Sequence, residues 1–328
     1  MLDTVRSSDI PITSCLEQLF GAEPLIQESA VKTVSSCGGI HQFDRNWLNI
    51  TQQVSILCVI SFTVALVVVG GDFDLSVGSM ASLSGMIAAV LWQQDVSLFK
   101  ALGAAVLVGA FGGVFNGVLV AYAGLSAFVA TLGTLTIFSG LALLVSDGKT
   151  IFGRAIPEIV GDFSRGGIPL AEGIQLPNLT LIAILVLILM GIVLQHTVFG
   201  RNLHGVGGNG EASLLAGVPV ARLRLIAFAV NGVGAAIAGL MLVSRLSSAN
   251  PTQGDGLMLN AIASVFVGMT MSEEGEPNLF GTLTGVLILG VLSNGLTQLR
   301  IDTYVQQILT GLIIIVAVLF SRLSLRKR

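Results

Sequence analysis

Charged residues are scarce in this chain of 328 residues. Asp, Glu, Lys and Arg make up 11% of it, 53% is hydrophobic, and the mean hydropathy is +0.88. A water-soluble domain needs a polar surface that this composition cannot supply. The net charge of −3 and the scattered basic residues argue against nucleic-acid binding. The composition therefore predicts an all-α membrane protein that crosses the bilayer several times.

Cysteine and histidine are also few. The three cysteines are odd in number, widely spaced and without neighbouring histidines, which argues against a disulfide framework and against a zinc site. The three histidines lack the spacing of metal ligands, and no Ser, His and Asp arrangement for catalysis is visible. We therefore expect no catalytic residue, no metal site and no cofactor.

Two segments imitate nucleotide-binding motifs but lack their context. Residues 205–210 spell G-x-G-x-x-G, yet they follow an apolar helical stretch rather than a strand. Residues 146–150 resemble the end of a phosphate-binding loop, but Leu143 stands where the first glycine of that motif is required. The chain is not expected to bind ATP by either device.

Long apolar stretches, by contrast, are abundant. Crossing a hydrocarbon core of about 30 Å takes about 20 residues of helix. Nine stretches come close to that length, at about residues 54–70, 76–92, 98–123, 126–146, 178–198, 225–247, 257–272, 279–299 and 304–321. Four basic residues follow the last stretch, within 321–328, and place this end of the chain in the cytoplasm. By alternation, the loop at 199–224 lies inside and the loop at about 147–177 lies outside.

The first 53 residues contain no apolar run long enough to span a membrane and no recognisable signal peptide. We expect residues 1–45 to form a polar N-terminal segment, disordered or atypical, and residues 46–328 to form the transmembrane domain. Nine spans that end in the cytoplasm would leave the N-terminal segment outside. Either a first helix is missing, or one span is misread.

Two carboxylates, Asp72 and Asp74, lie among glycines between the first two apolar stretches. Ionisable residues near the hydrocarbon are costly and rare unless they face a cavity, a partner or the membrane boundary. One interpretation is a short surface loop. The other is a structural or gating break between helices, in which Ser76, Gly78 and the more distant Asn116 also take part.

Glycines suggest close helix packing and an internal repeat. Gly109, Gly113 and Gly117 recur every four residues, which is typical of a face where membrane helices approach closely. Shifting the chain by 178 residues aligns several glycines and also aligns Asn116 with Asn294. The two copies would run in opposite directions through the membrane, so we expect an inverted repeat of two halves, as in many transporters.

Several ordered motifs resemble one family. The chain is similar to the permease subunits of bacterial ABC importers, in the branch that serves ribose, other monosaccharides and small polyols. The resemblance runs from about residue 46 to the end, and its motifs are Asn46–Ile50, Gly70–Ser79, Thr131–Thr134, Ser139–Ala142, Gly200–Asn202, Gly207–Asn209, Arg245–Ala249, Pro251–Thr252, Gly281–Leu283 and Asn294–Leu296. Asp74 matches the carboxylate of the family motif, whereas Asp72 is an additional one.

The resemblance implies a fold and partners. The family has about ten helices, both chain ends in the cytoplasm, and a place in the bacterial inner membrane. Its permeases work with a separate ATPase subunit, with a periplasmic or lipid-anchored solute-binding protein, and with a second permease copy or a paralogue. In that family the loop that matches residues 199–224 carries the short helix that docks on the ATPase, and the matching residues here are Gly200, Arg201, Asn209, Glu211, Ala212 and Gly217.

Uncharged polar residues within the apolar stretches suit a path for a neutral solute. The candidates are Thr131, Thr134, Asn231, Asn260 and Asn294. Asn116 and Asn294 could equally cap helix ends. Other functions stay open: a permease for branched-chain amino acids or nucleosides, a self-sufficient channel or secondary transporter, or a remnant that no longer transports.

Overall fold

The computed structural model describes residues 27–171, 174–271 and 276–325. Apart from four short strands, its regular elements are helices. The helices are α1 Gln27–Val69, α2 Val77–Gln93, α3 Leu98–Ala121, α4 Ala127–Val145, α5 Glu158–Arg165, α6 Asn178–His196, α7 Val198–Gly208, α8 Gly210–Leu215, α9 Val220–Leu246, α10 Asp255–Met269, α11 Leu279–Gln298 and α12 Thr303–Leu325. The strands are β1 Ile151–Phe152, β2 Gly167–Ala171, β3 Ile174–Pro177 and β4 Ser248–Ala249, and a 3-10 turn covers Gly153–Ala155.

Each of the nine apolar stretches corresponds to a helix. Within the described residues, six helical segments are long and apolar enough to cross a membrane, namely Leu48–Val69, Leu98–Ala121, Ala127–Val145, Asn178–His196, Val220–Leu246 and Leu279–Gln298. The apolar helices α2 and α10 are shorter, with 17 and 15 residues. The chain is therefore an all-α protein that crosses the membrane several times, as its composition predicted.

The first helix starts earlier than expected. The polar residues before the first apolar stretch were expected to be irregular, but α1 is helical from Gln27 onwards and contains 43 residues. No proline lies between Pro24 and Val69. Extending an existing helix by one residue costs far less free energy than starting a new one. The apolar C-terminal half of α1 therefore allows the helix to continue into the polar N-terminal half. Residues 1–26 lie outside the described part.

The chain divides into two compact units. One consists of Met1–Asn49 and Pro169–Gln175, and the other of Ile50–Ile168 and Leu176–Arg328. Every residue of the candidate site described below belongs to the second unit.

The glycine face predicted on α3 packs directly against α9. A Cβ atom added at Gly109 would lie 2.5 Å from the carbonyl oxygen of Gly232, and one added at Gly117 would lie 2.9 Å from Leu225 Cα. Gly113 meets the backbone of Phe228 in the same way. Small residues at these positions let the two backbones touch, which is how membrane helices gain dispersion energy without a hydrophobic driving force.

The order of helices fits the predicted repeat. Helices α2 and α10 begin 178 residues apart, and each packs against the two helices that follow it among the apolar ones, α3 and α4 in the first half and α11 and α12 in the second. The two copies meet at their N-terminal ends, where a Cβ atom at Gly78 would lie 2.5 Å from Gly254 O. The amide of Gly254 also donates to Ser82 Oγ at 2.8 Å.

Loop contacts agree with the alternation of spans. Strands β1 and β4 pair antiparallel, with Ile151 opposite Ala249, and this joins two loops that were both expected outside. At the other end, Gly71 touches Gly207, which joins two loops expected inside.

Candidate functional site

The site is built around the seven residues Gly70–Ser76 between α1 and α2, called here the 70–76 loop. Helix α1 ends in a Schellman motif, in which the amide of Asp72 donates to Val67 O at 3.1 Å and that of Gly71 to Val68 O at 2.9 Å. Gly71 has a φ of +83°. This left-handed conformation is free of strain in glycine but unfavourable for a residue with a Cβ atom. The glycine thus fixes the direction in which the loop leaves α1.

Asp74 anchors the far end of the loop. Its side chain is 2% exposed. Oδ1 accepts hydrogen bonds from Ser76 N at 2.8 Å and from Ser76 Oγ at 2.6 Å, and Oδ2 accepts one from Asn231 Nδ2 on α9 at 2.9 Å. Asn116 Nδ2 on α3 in turn donates to Ser76 Oγ at 2.7 Å. We call Asp74, Ser76, Asn116 and Asn231 the Asp74 cluster.

The Asp74 cluster ties one loop to two helices by polar contacts inside an apolar protein. Burial raises the pKa of Asp74, and the hydrogen bonds from Ser76 and Asn231 act in the opposite direction. The side-chain oxygens of Asn116 and Asn231 are buried and have no hydrogen-bond partner in the described part of the chain.

Asp72 anchors the near end of the loop. It is also buried, and its Oδ2 atom lies 3.1 Å from Nε of Arg224, in the second turn of α9. Burial raises the pKa of Asp72, whereas the Arg224 charge lowers it. Because both carboxylates are buried and paired, they do not mark a surface loop, and the first of the two interpretations above is wrong.

Phe73 holds the middle of the loop. Its ring packs against that of Phe266 on α10, with 5.8 Å between ring centroids. Its carbonyl oxygen is 3.5 Å from Thr131 Oγ1 on α4. The loop is thus contacted at Asp72 and Asp74 by α9 and at Phe73 by α10.

The predicted path residues do not form one group. Asn231 belongs to the Asp74 cluster, and Thr131 reaches the carbonyl of Phe73. Thr131 and Thr134 are buried and donate to carbonyl oxygens of their own helix. Asn260 is half-buried on α10, and Asn294 on α11 is buried and accepts a bond from Gln298 Nε2 at 2.7 Å. Their role along a solute path stays a prediction.

The loop predicted to contact the ATPase forms two short helices, α7 and α8. Thr197 Oγ1 accepts the amide of Gly200 at 3.1 Å, and Asn209 Oδ1 accepts the amide of Ala212 at 2.9 Å, so each helix has an N-terminal cap. Gly217, with a φ of +80°, ends the segment after α8. Arg201, Glu211 and Ala212 are exposed.

Helix α7 packs against the 70–76 loop. Leu203 and Val206 on α7 are buried. A Cβ atom at Gly70 would lie 3.1 Å from Leu203 Cδ1, and one at Gly71 would lie 3.3 Å from Gly207 Cα. The structure therefore brings together two sets of residues that the sequence separates by more than 120 positions.

Two exposed leucines on α8 were not predicted. Leu214 is 64% exposed and Leu215 is 89% exposed. Adjacent exposed apolar residues offer surface that a partner protein or the membrane boundary can bury. The signal in the sequence is the Leu-Leu pair within a loop that is otherwise polar and glycine-rich.

The described residues contain no group of three or more His, Cys, Asp or Glu side chains placed to hold a metal ion. The 70–76 loop has backbone contacts at one end, an ion pair, and a buried carboxylate network at the other.

The chain is similar to known proteins over most of its length. Residues 46–318 match the protein family described as "Branched-chain amino acid transport system / permease component". The ribose import permease RbsC of Bacillus subtilis is 37% identical over 277 residues, 84% of each chain. That of Haemophilus influenzae is 38% identical over 274 residues, again 84% of each.

The D-allose transport system permease AlsC of Escherichia coli is 35% identical over 279 residues, 84% of this chain and 83% of its own. No solved structure matches the chain. More than four fifths of the chain aligns with these relatives, and the family match covers residues 46–318. The chain therefore belongs to the family of permease components of branched-chain amino acid transport systems.

Proposed function

We propose that the chain is the membrane permease subunit of an ATP-driven ABC importer for a monosaccharide or a related small polyol. The observation that carries this proposal is its similarity, at 35–38% identity over most of the chain, to permeases named for ribose and allose. The chain forms the path for the solute and performs no chemistry on it. ATP is hydrolysed by a separate subunit.

Helices α7 and α8 support the proposed contact with the ATPase. They are capped, lie between two membrane-spanning helices, and expose Leu214 and Leu215. The buried side of α7 contacts the 70–76 loop, so a partner on its exposed side acts on the transmembrane part through a rigid helix.

The remaining partners follow from the same proposal. A soluble or lipid-anchored binding protein delivers the solute on the outer side of a bacterial inner membrane, and a second permease copy or paralogue completes the pathway. Import needs two states of the permease that ATP and the loaded binding protein favour differently, because a ligand shifts an equilibrium only through differential affinity.

The first experiment is affinity purification from mildly solubilised native membranes through a C-terminal tag, followed by mass spectrometry. Recovery of an ABC ATPase together with a solute-binding protein is expected. The recovered binding protein is then titrated by calorimetry with ribose, allose, arabinose, leucine and adenosine. Binding of a sugar supports the proposal, and binding of leucine or adenosine replaces the proposed substrate.

Recovery of the intact permease alone, under conditions in which a known importer stays assembled, would contradict the ABC assembly. A self-sufficient channel or secondary transporter then becomes the better assignment. Uptake by liposomes that contain the permease alone, without ATP, would support that assignment directly.

A further inference from the structure

We propose that the 70–76 loop transmits the movement of α7 to the Asp74 cluster and to the start of α2, with Gly71 and Gly207 as the positioning residues at its point of contact. This inference rests on the proposed contact between α7–α8 and an ATPase. It adds to that proposal the part of the membrane domain that receives the movement of α7.

The contact between α7 and the loop is one of backbone against backbone. A Cβ atom at Gly207 would collide with the carbonyl oxygen of Val69 and would lie 3.3 Å from the amide nitrogen of Gly71. A Cβ atom at Gly71 would lie 3.3 Å from Gly207 Cα. No flexible side chain separates the two segments here. Because packed backbone has few ways to yield, a shift of α7 displaces the loop rather than being absorbed.

The loop has little free length between its anchors. Asp72 is paired with Arg224, Phe73 packs on Phe266, and Asp74 is bonded to Asn231. From the contact at Gly71 to the Asp74 carboxylate, each successive residue is held by another element. A chain held at consecutive residues moves as a unit, because it has no unanchored residue whose torsions could take up a displacement.

The far end of the loop leads to the junction of the predicted repeats. Ser76 bonds both Asp74 and Asn116 and directly precedes α2. Two residues further, Gly78 meets Gly254, which directly precedes α10. A displacement of the loop therefore shifts the N-terminus of α2 against that of α10. Contacts of this kind between repeats are where transporters change access.

Gly103 provides a control outside α7 and α8. It lies on α3, and a Cβ atom there would have no heavy atom within 4 Å. Gly207→Ala and Gly103→Ala thus add the same methyl group to a helical glycine, and only the first enters the contact with the loop.

The test uses the permease assembled with its ATPase and binding protein in liposomes, with solute uptake and ATP hydrolysis measured in the same sample. For Gly207→Ala, the number of solutes imported per ATP hydrolysed is expected to fall about tenfold, within the usual range of allosteric coupling energies. Gly103→Ala should keep the value of the unsubstituted complex. Equal ratios for the two variants would overturn the inference.

If Gly207→Ala does not assemble, hydrogen exchange on the unsubstituted complex tests whether the 70–76 loop transmits the movement of α7. Amides in the peptide that covers 70–76 should change their exchange between the nucleotide-free state and a state locked with a non-hydrolysable ATP analogue. Unchanged exchange in that peptide, while α7 changes, would refute transmission through the loop. Failure of the unsubstituted permease to assemble with any ATPase would instead refute the proposed function.

Discussion

At the scale of single residues, Asp74 is the side chain on which most of the loop depends. Its carboxylate receives three hydrogen bonds, and Asp74→Ala would leave the donors on Ser76 and Asn231 without an acceptor in a buried place. Unpaired buried donors cost about 1–3 kcal/mol each. We expect Asp74→Ala to lower the melting temperature of the detergent-solubilised protein and to abolish uptake.

The control for that experiment is Thr136→Ala, which removes an exposed hydroxyl on α4 that bonds only Leu132 O of its own helix. Its melting temperature should match that of the unsubstituted chain. Unchanged uptake by Asp74→Ala at normal expression would remove Asp74 from the mechanism.

The ion pair between Asp72 and Arg224 should contribute less. Its Nε–Oδ2 distance is 3.1 Å, but the Arg224 side chain is 31% exposed, so water screens the pair. A double-mutant cycle with Asp72→Asn and Arg224→Gln should give a coupling free energy of about 1 kcal/mol in thermal unfolding. A coupling near zero would show that the pair does not hold the loop to α9.

The sequence could identify Asp72 and Asp74 but not their partners. A carboxylate between two apolar stretches can be recognised from the sequence alone. Asn231 lies 157 positions away and Arg224 lies on the same helix, α9, so only the packing of α2 and α3 on α9 brings them near. For the same reason Asn231 was assigned to a solute path, although its amide serves the Asp74 cluster.

At the scale of elements, α8 is a small docking helix in the proposed assembly. Leu215 is 89% exposed and contributes apolar area that a partner can bury. Leu215→Asp should prevent recovery of the ATPase with the tagged permease while leaving the melting temperature of the permease unchanged. Leu299→Asp is the matched control, since Leu299 is 73% exposed and follows α11 at the face predicted to be outside.

Loss of the ATPase with both variants would indicate a general effect of the added charge. Retention with both would show that α8 does not form the contact. Only loss with Leu215→Asp alone agrees with docking on α8.

Long helices were predictable from composition, whereas a short helix was expected only in the loop at 199–224, and there from the family resemblance. A 20-residue apolar run can satisfy its backbone in lipid only as a helix, so composition decides the outcome. The pairing of β1 with β4 joins residues about 100 positions apart, α5 depends on the helices it touches, and α7 and α8 depend on side-chain caps. The helical start of α1 at Gln27 was missed because helix extension depends on the adjacent apolar half and not on local polarity.

At the scale of the whole molecule, two contacts between distant loops agree with the predicted sidedness of the chain. The pairing of β1 with β4 puts the loop after α4 and the loop after α9 on the same face, and the contact of Gly71 with Gly207 does so for the loops after α1 and after α6. The basic C-terminal end then decides which of the two faces is cytoplasmic, because positive residues remain on that side.

This sidedness can be measured with single cysteines. Glu158 on α5 and Glu211 on α8 are both exposed and lie on opposite faces by this reasoning. In a chain whose three native cysteines are replaced by alanine, Glu158→Cys should react with a membrane-impermeant maleimide in intact spheroplasts. Glu211→Cys, with the permease expressed alone, should react only after permeabilisation. The opposite pattern would invert the topology and place α7 and α8 outside, where no ATPase could reach them; labelling of both cysteines in intact spheroplasts would contradict the alternation itself.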